Sequence, residues 1–205
     1  DALTTLGNHV TTNLELWETL RFGKLAEGVN QNEIMNVVLD ASPGSPLVAY
    51  SSPETGYILQ PRSGNFEAVH YLADNLFLIG RAEKEGAKIA VENGTVSGGL
   101  AQQFAAELTH LNYDVVQIGT AESNRYPQTI IYDYSGGTKP NTLAALQQRL
   151  AAKIEPGLPS FLNSATDPSR SFNANGSVKG AEDVKVDFLI ILGDDQKSTS
   201  STASS

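Results

Sequence analysis

From Asn65 onward, Phe66, Val69, Ala73, Leu76 and Phe77 recur at helical spacing, so Asn65 opens a helix. Beyond Lys88 short apolar runs alternate with helical stripes. The pattern predicts strand 88–92, helix 98–111, strand 113–118, strand 128–134, helix 141–152 and strand 186–192. Leu100, Phe104, Leu108 and Leu111 form one stripe, and Leu143, Leu146, Leu150 and Ile154 form the other. Asn112, tolerant of the left-handed conformation, ends the first. Upstream, residues 11–27 read as a helix with Thr12 as N-cap and Glu15 three residues on, a capping-box spacing. Its Leu16, Trp17, Leu20 and Leu25 can share an apolar face. Residues 35–39 read as a strand ended by Asp40–Gly44, and 47–50 and 56–60 as two more around Ser52-Pro53-Glu54-Thr55.

The stretch GRAEKEGA is charged and bounded by glycine, and 81–87 reads as a linker between a segment 1–80 and a domain 88–195. That domain is expected to be an α/β, two-layer sandwich of order β-α-β-β-α-β. Gly119 to Gln128 is too short for a crossover helix, so its middle strands are expected to pair antiparallel. Residues 155–183 form a Pro-, Ser-, Asn- and Gly-rich loop, longer than the ~12–15 residues usual in a compact domain. Residues 196–205, ending in STSSTASS, are expected to be disordered. On this division 88–195 folds alone, whereas 1–80 is incomplete and exposes apolar surface.

A composition that is 40% hydrophobic and 18% charged over 205 residues supports a buried core. No apolar run approaches the ~18 residues of a membrane span. The net charge of −9 argues against a nucleic-acid partner, whose binding rests on Lys and Arg neutralising phosphates. The absence of cysteine removes disulfides and thiolate metal sites. The chain opens without Met or a signal pattern, as an interior cut of a longer protein would.

The sharpest local motif is Val91–Ala101, VENGTVSGGLA, a strand, a glycine turn and a helix start. It lacks the second glycine of a dinucleotide fingerprint. Gly94 and Gly99 have phosphate-loop spacing, but Leu100 and Ala101 stand where lysine and a hydroxyl are required. The structural reading is a turn at Asn93-Gly94, a cap at Ser97, and Gly98-Gly99 allowing close helix–sheet packing. The alternative is weak anion binding at the helix N-terminus. Asp194 and Asp195, at the exit of an apolar strand, read as solvated residues or as part of a divalent-ion site. His9, His70 and His110 fall in separate segments without ligand spacing, and no G-x-S-x-G elbow occurs. Asn93-Gly94-Thr95 and Asn175-Gly176-Ser177 match the glycosylation sequon. Tyr132 and Tyr134, near Tyr113 and Tyr126, suit either sugar stacking or core and edge packing. The candidate ligand or partner surface is therefore Asn93, Thr95, Ser97, Tyr132 and Tyr134. No catalytic, cofactor or metal residue is assigned.

The string from Ile89 to Tyr134, IAVENGTVSGGLAQQFAAELTHLNYDVVQIGTAESNRYPQTIIYDY, resembles the LytR C-terminal domain. Its marks are a strand ending Asn-Gly-Thr, a Gly-Leu-Ala helix, a Tyr-Asp-Val-Val strand, a Tyr…Thr-x-Ile-x-Tyr hairpin and a closing Leu-Gly-x-Asp. The upstream segments LGNHVTTNLELWETLRFGKLAEGVN and GYILQPRSGNFEAVHYLADNLF resemble the end of a LytR-CpsA-Psr (LCP) catalytic domain. The resemblance implies a membrane-anchored protein on the extracytoplasmic face of the bacterial cell membrane. When intact, it would transfer glycopolymers from polyprenyl-pyrophosphate to peptidoglycan with Mg2+. The family's arginine- and aspartate-rich motifs have no counterpart in this sequence, and Arg62 is not promoted to one. The chain would then act as an accessory domain for cell-wall glycan or envelope proteins, without catalysis of its own. The alternatives are a pure protein–protein module, a transcriptional attenuator, and an independent enzyme.

Overall fold

The computed structural model describes residues 15–28, 36–156, 177–178 and 181–199. The chain divides into two units, Asp1–Val37 and Val38–Ser205. The described part of the first is helix α1, Leu16–Ala26. Its cap is Glu15, whose backbone N–H donates to Glu18 Oε2 at 2.8 Å. The capping box thus lies one motif later than expected, and Thr12 lies outside the described residues. Trp17, Leu20 and Leu25 are each more than half exposed.

Residues 36–39, at the boundary of the two units, form no strand, and Met35 lies outside the described residues. Val38 and Leu39 are exposed and no described strand pairs with them. Strands β1 (Leu47–Ser52) and β2 (Gly56–Pro61) make an antiparallel hairpin as expected. Its turn is held by Thr55 N donating to Ser52 Oγ at 3.1 Å. Helix α2 then runs from Glu67 to Glu85, opened by Asn65, whose Oδ1 accepts from Glu67 N at 3.2 Å.

The main sheet has five strands. They are β3 (Lys88–Asn93), β4 (Asp114–Thr120), β5 (Ile130–Asp133), β6 (Lys153–Pro156) and β9 (Phe188–Leu192), in spatial order β4-β3-β9-β5-β6. Between β6 and β9, β7 (Ser177–Val178) and β8 (Ala181–Lys185) form a small antiparallel pair. Strands β6, β7 and β8 occupy parts of what reads in sequence as one loop, 155–183, of which 157–176 lie outside the described residues. Helix α3 (Leu100–His110) joins β3 to the parallel β4, and α4 (Pro140–Leu150) joins β5 to the parallel β6. Right-handed crossovers place both helices on one face, completing the α/β two-layer sandwich.

The middle strands β4 and β5 do not pair, contrary to expectation. β3 and β9 stand between them, and β5 pairs antiparallel with β9 instead. The reason lies in the burial of β9: every residue of FLIIL is buried. A strand apolar on both faces takes the sheet centre, where both faces are covered. Asn112 has φ +61 and ends α3 in the left-handed conformation, and Ala151, at φ +48, ends α4.

Residues 81–87 are not a linker. Residues 81–85 are the last turn of α2, and Gly86, at φ +57, is its left-handed C-cap. Ile79 and Ala82 are almost wholly buried, and α2 packs along α4. Glu85 closes this contact. Its carboxylate accepts from Asn141 N and Nδ2 at 2.9 and 2.7 Å, and from Thr142 N and Oγ1 at 2.8 and 2.6 Å. Helix α4 has no side-chain cap of its own, so Glu85 satisfies N–H groups that every helix leaves unpaired at its start. The charge also suits the positive end of the helix dipole. Desolvation acts to raise the Glu85 pKa, but the hydrogen bonds from Thr142 and Asn141 outweigh it and hold it below the ordinary value.

Glu85→Ala is expected to cost on the order of 1–2 kcal/mol, the scale of a lost helix cap. A fragment starting at residue 88 should melt below one starting at residue 65 by thermal denaturation. Because the folded pKa lies below the unfolded one, the Glu85 contribution is present above about pH 4.5 and is lost as pH falls through the folded value. Acid titration of Glu85→Gln should show that part of the loss removed.

Candidate functional site

The glycine turn between β3 and α3 is closed by its own side chains. Asn93 Oδ1 accepts from Thr95 N at 3.0 Å and from Thr95 Oγ1 at 2.9 Å, while Asn93 Nδ2 donates to Ser97 O at 2.7 Å. Thr95 Oγ1 accepts in turn from Ser97 N at 3.1 Å. Thr95 is buried, and Asn93 and Ser97 are half-buried. The side chains of Asn93 and Thr95 are therefore engaged within the turn, which also leaves the Asn93 sequon without a presented amide. Asn175 lies outside the described residues.

The structure revises three details of this turn. The N-cap of α3 is Gly99, at φ +82, and not Ser97. Neither Gly98 nor Gly99 lies against the sheet, since a Cβ on either would meet nothing within 4 Å. The crowded glycine is Gly94, where a Cβ would stand 2.8 Å from Leu192 O and 2.9 Å from Ile191 Cγ2. Gly94 N also donates to Leu192 O at 2.9 Å, and Gly94 O accepts from Tyr126 N at 3.0 Å.

The exit of β9 is equally committed. Asp195 accepts from Thr129 N at 3.0 Å and from Thr129 Oγ1 at 2.7 Å, and that hydroxyl accepts from Gly193 N at 3.1 Å. A Cβ on Gly193 would lie 2.3 Å from the carbonyl carbon of Gln128. The Leu-Gly-Asp-Asp motif thus locks β9 to the start of β5. No group of three His, Cys, Asp or Glu residues converges as metal ligands among the described residues.

His110 sits beside a carboxylate and a hydroxyl, in an order unlike that of a nucleophilic triad. Ser42 Oγ donates to Asp40 Oδ1 at 2.5 Å, and His110 Nδ1 stands 3.2 Å from the same Oγ. The carboxylate holds the hydroxyl proton, so the imidazole has none to remove. The side-chain and backbone hydrogen bonds from Ser42 lower the Asp40 pKa. Arg62 is likewise structural, donating to Ser45 O at 3.0 Å and Leu47 O at 3.1 Å.

The tyrosines lie together on the sheet face opposite the helices. Tyr126, Tyr132 and Tyr134 are half-buried and pack with Val116 against Ala90, Leu189 and Ile191. Register accounts for the grouping: Tyr132 pairs with Leu189, and Ala90 pairs with Leu189 from the other side. The Tyr134 hydroxyl is buried without a hydrogen-bond partner. Burial pushes the Tyr126 hydroxyl up to about 12 and raises those of Tyr132 and Tyr134. Of the five residues read from sequence, Asn93, Thr95 and Ser97 meet in the turn and Tyr132 and Tyr134 on this face. A second constellation had no sequence signal: Tyr71, Glu107 and Arg149 come from three helices and meet in a cleft. Periodicity assigns such residues to helices but does not bring the helices together.

The fold is that of a small two-layer α/β domain built from two β-α-β units around a shared last strand. The family model described as LytR cell envelope-related transcriptional attenuator matches residues 86–195, more than half of the chain, and the chain belongs to that family. The cell-envelope association of the family thus applies to this domain. No curated protein and no solved structure gives a significant match. No helix among the described residues is long and apolar enough to cross a membrane.

Substitutions separate the glycines. Gly94→Ala is expected to lose about 1–3 kcal/mol by overpacking. Gly99→Ala should lose about 1 kcal/mol from its left-handed backbone alone. Urea denaturation should rank Gly94→Ala as the worse of the two. Alkali provides a second measurement. The folded tyrosines keep protons that the unfolded chain releases near pH ~10, so stability holds below that pH and falls as pH rises towards 12. Thermal melts across that range should decline less for Tyr126→Phe than for the wild type.

Proposed function

We propose that residues 86–195 serve as an accessory binding domain on the extracytoplasmic side of the cell envelope, with a cell-wall glycan as ligand. The observation that carries this reading is the tyrosine face: Tyr126, Tyr132 and Tyr134, each partly buried, on a sheet surface that no described helix covers. Aromatic rings pair an apolar face with a polar edge, the combination that a sugar ring presents in return. A nucleic-acid partner is disfavoured by the net charge of −9. Residues 1–80 fit the end of an LCP catalytic domain, and the intact protein would be a membrane-anchored glycopolymer transferase. The Mg2+ that this resemblance implies finds no ligand set among the described residues, so no role for it is assigned to this chain. The competing reading, a module for envelope proteins, draws on the same exposed aromatic surface.

The test is retention of the 205-residue chain on purified peptidoglycan, set against capture by membrane extract. Peptidoglycan should retain the wild type, and Tyr132→Ala should lose retention at least several-fold while keeping its circular dichroism spectrum. Retention by membrane extract alone would replace the glycan with a protein partner.

A further inference from the structure

We infer that the cleft between α2, α3 and α4 is a second ligand site, taking a neutral, hydroxyl-rich molecule of about one sugar ring. The cleft encloses about 770 Å3, within the ~300–1,000 Å3 usual for small-molecule sites. It lies on the helical side of the sheet, away from the tyrosine face.

One part of its lining is apolar: Leu72, Phe104 and Leu111, all buried side chains that border the opening. The rest is built around Arg149. Its Nε donates to Glu107 Oε1 at 2.5 Å and its Nη2 to Glu107 Oε2 at 2.8 Å, and the guanidinium carbon sits 5.8 Å from the centre of the Tyr71 ring. The Arg149 side chain is about a quarter exposed (27%), so this cation is largely withdrawn from water. Two of the five N–H groups of a guanidinium serve Glu107, and the others have no acceptor among the described residues. The Tyr71 hydroxyl and the exposed Gln103 amide add donors without a described partner.

This lining selects its ligand by elimination. Glu107 and Glu67 match Arg149 and Arg62 in number along the lining, so an anion gains little net attraction and meets the Glu107 carboxylate beside Arg149. A cation meets the guanidinium. Arg149, Tyr71 and Gln103 offer donors to acceptor oxygens, and the Glu67 carboxylate in the lining offers an acceptor to hydroxyl groups. The neighbouring Leu72 and Phe104 favour an apolar face on the same molecule. A sugar ring combines hydroxyl and ring oxygens with a C–H face and no charge. These donors keep access to water, and a ligand oxygen would take the place of that water in a partly enclosed site.

The experiment titrates N-acetylglucosamine into the isotopically labelled 205-residue chain and follows amide shifts, with inorganic phosphate as the anionic arm. The expected result is saturable shifts around Tyr71, Gln103 and Arg149 with the sugar and none there with phosphate. Tyr71→Phe, which keeps the ring under the guanidinium, and Gln103→Ala should each weaken binding at least threefold. Tyr132→Ala should leave it unchanged. Replacing the ion pair together, Arg149→Met with Glu107→Leu, should abolish the shifts in a chain that still melts cooperatively. No response to the sugar at these residues, an equal response to phosphate, or shifts confined to the tyrosine face would overturn the site. The last outcome would leave the tyrosine-face reading intact.

Discussion

One carboxylate sets the arrangement of the helical layer. Glu85 stands at the end of α2 and accepts four hydrogen bonds from the first residues of α4. Without it, α4 starts with unpaired N–H groups against a buried neighbour, because Thr142 is wholly inaccessible. The same contact fixes where α2 lies along α4, and hence where Tyr71, four turns earlier on α2, meets Arg149 at the far end of α4. The cleft is therefore a consequence of a helix cap. That also explains why the folded unit reaches upstream of residues 86–195, the part that the family describes.

The sheet has its own constraint in β9. This strand joins two β-α-β halves, pairing parallel with β3 and antiparallel with β5. Two side-chain locks hold its ends. Asp187 accepts from Lys88 N at 2.8 Å at one end, and Asp195 clasps Thr129 at the other. Gly94 and Gly193 are the close approaches that these crossings require. Much of the polar chemistry that looks functional in the sequence serves this closure. The tyrosine face and the cleft lie outside this closure.

What could be read in advance followed from local signals. The hairpin turn, the stripe of α3 and Asn112 as a left-handed terminator depend on neighbours a few residues away, and the structure contains them; of the second stripe Leu143, Leu146 and Leu150 lie in α4, whereas Ile154 lies in β6. Seen alone, a charged stretch between glycines such as 81–87 looks like a linker, whereas its residues finish and cap α2. Glu85 acts on a helix more than fifty residues downstream, as Asn141 and Thr142 show. The strand order was illegible for a related reason. An antiparallel hairpin is the default for a short connection, yet β9, read only as an apolar run, displaced it from the centre. Asn93, Thr95 and Ser97 are neighbours in the turn, as their spacing implies, and their hydrogen bonds turn inward. Arg149 and Glu107 carry no spacing that would tie them together.

The position of β9 also dictates an order of assembly. It follows the other four strands of its sheet in sequence and is the middle one in the sheet, and its lock to Lys88 spans 99 residues. Each β-α-β half rests on contacts close in sequence, but neither has its inner edge covered until the final strand arrives. Closing contacts of long sequence separation is slow relative to local ones. The chain emerging from synthesis thus carries two open strand edges, on β3 and β5, until residues 188–192 are available. Those edges are where such an intermediate would meet chaperones or other incomplete chains.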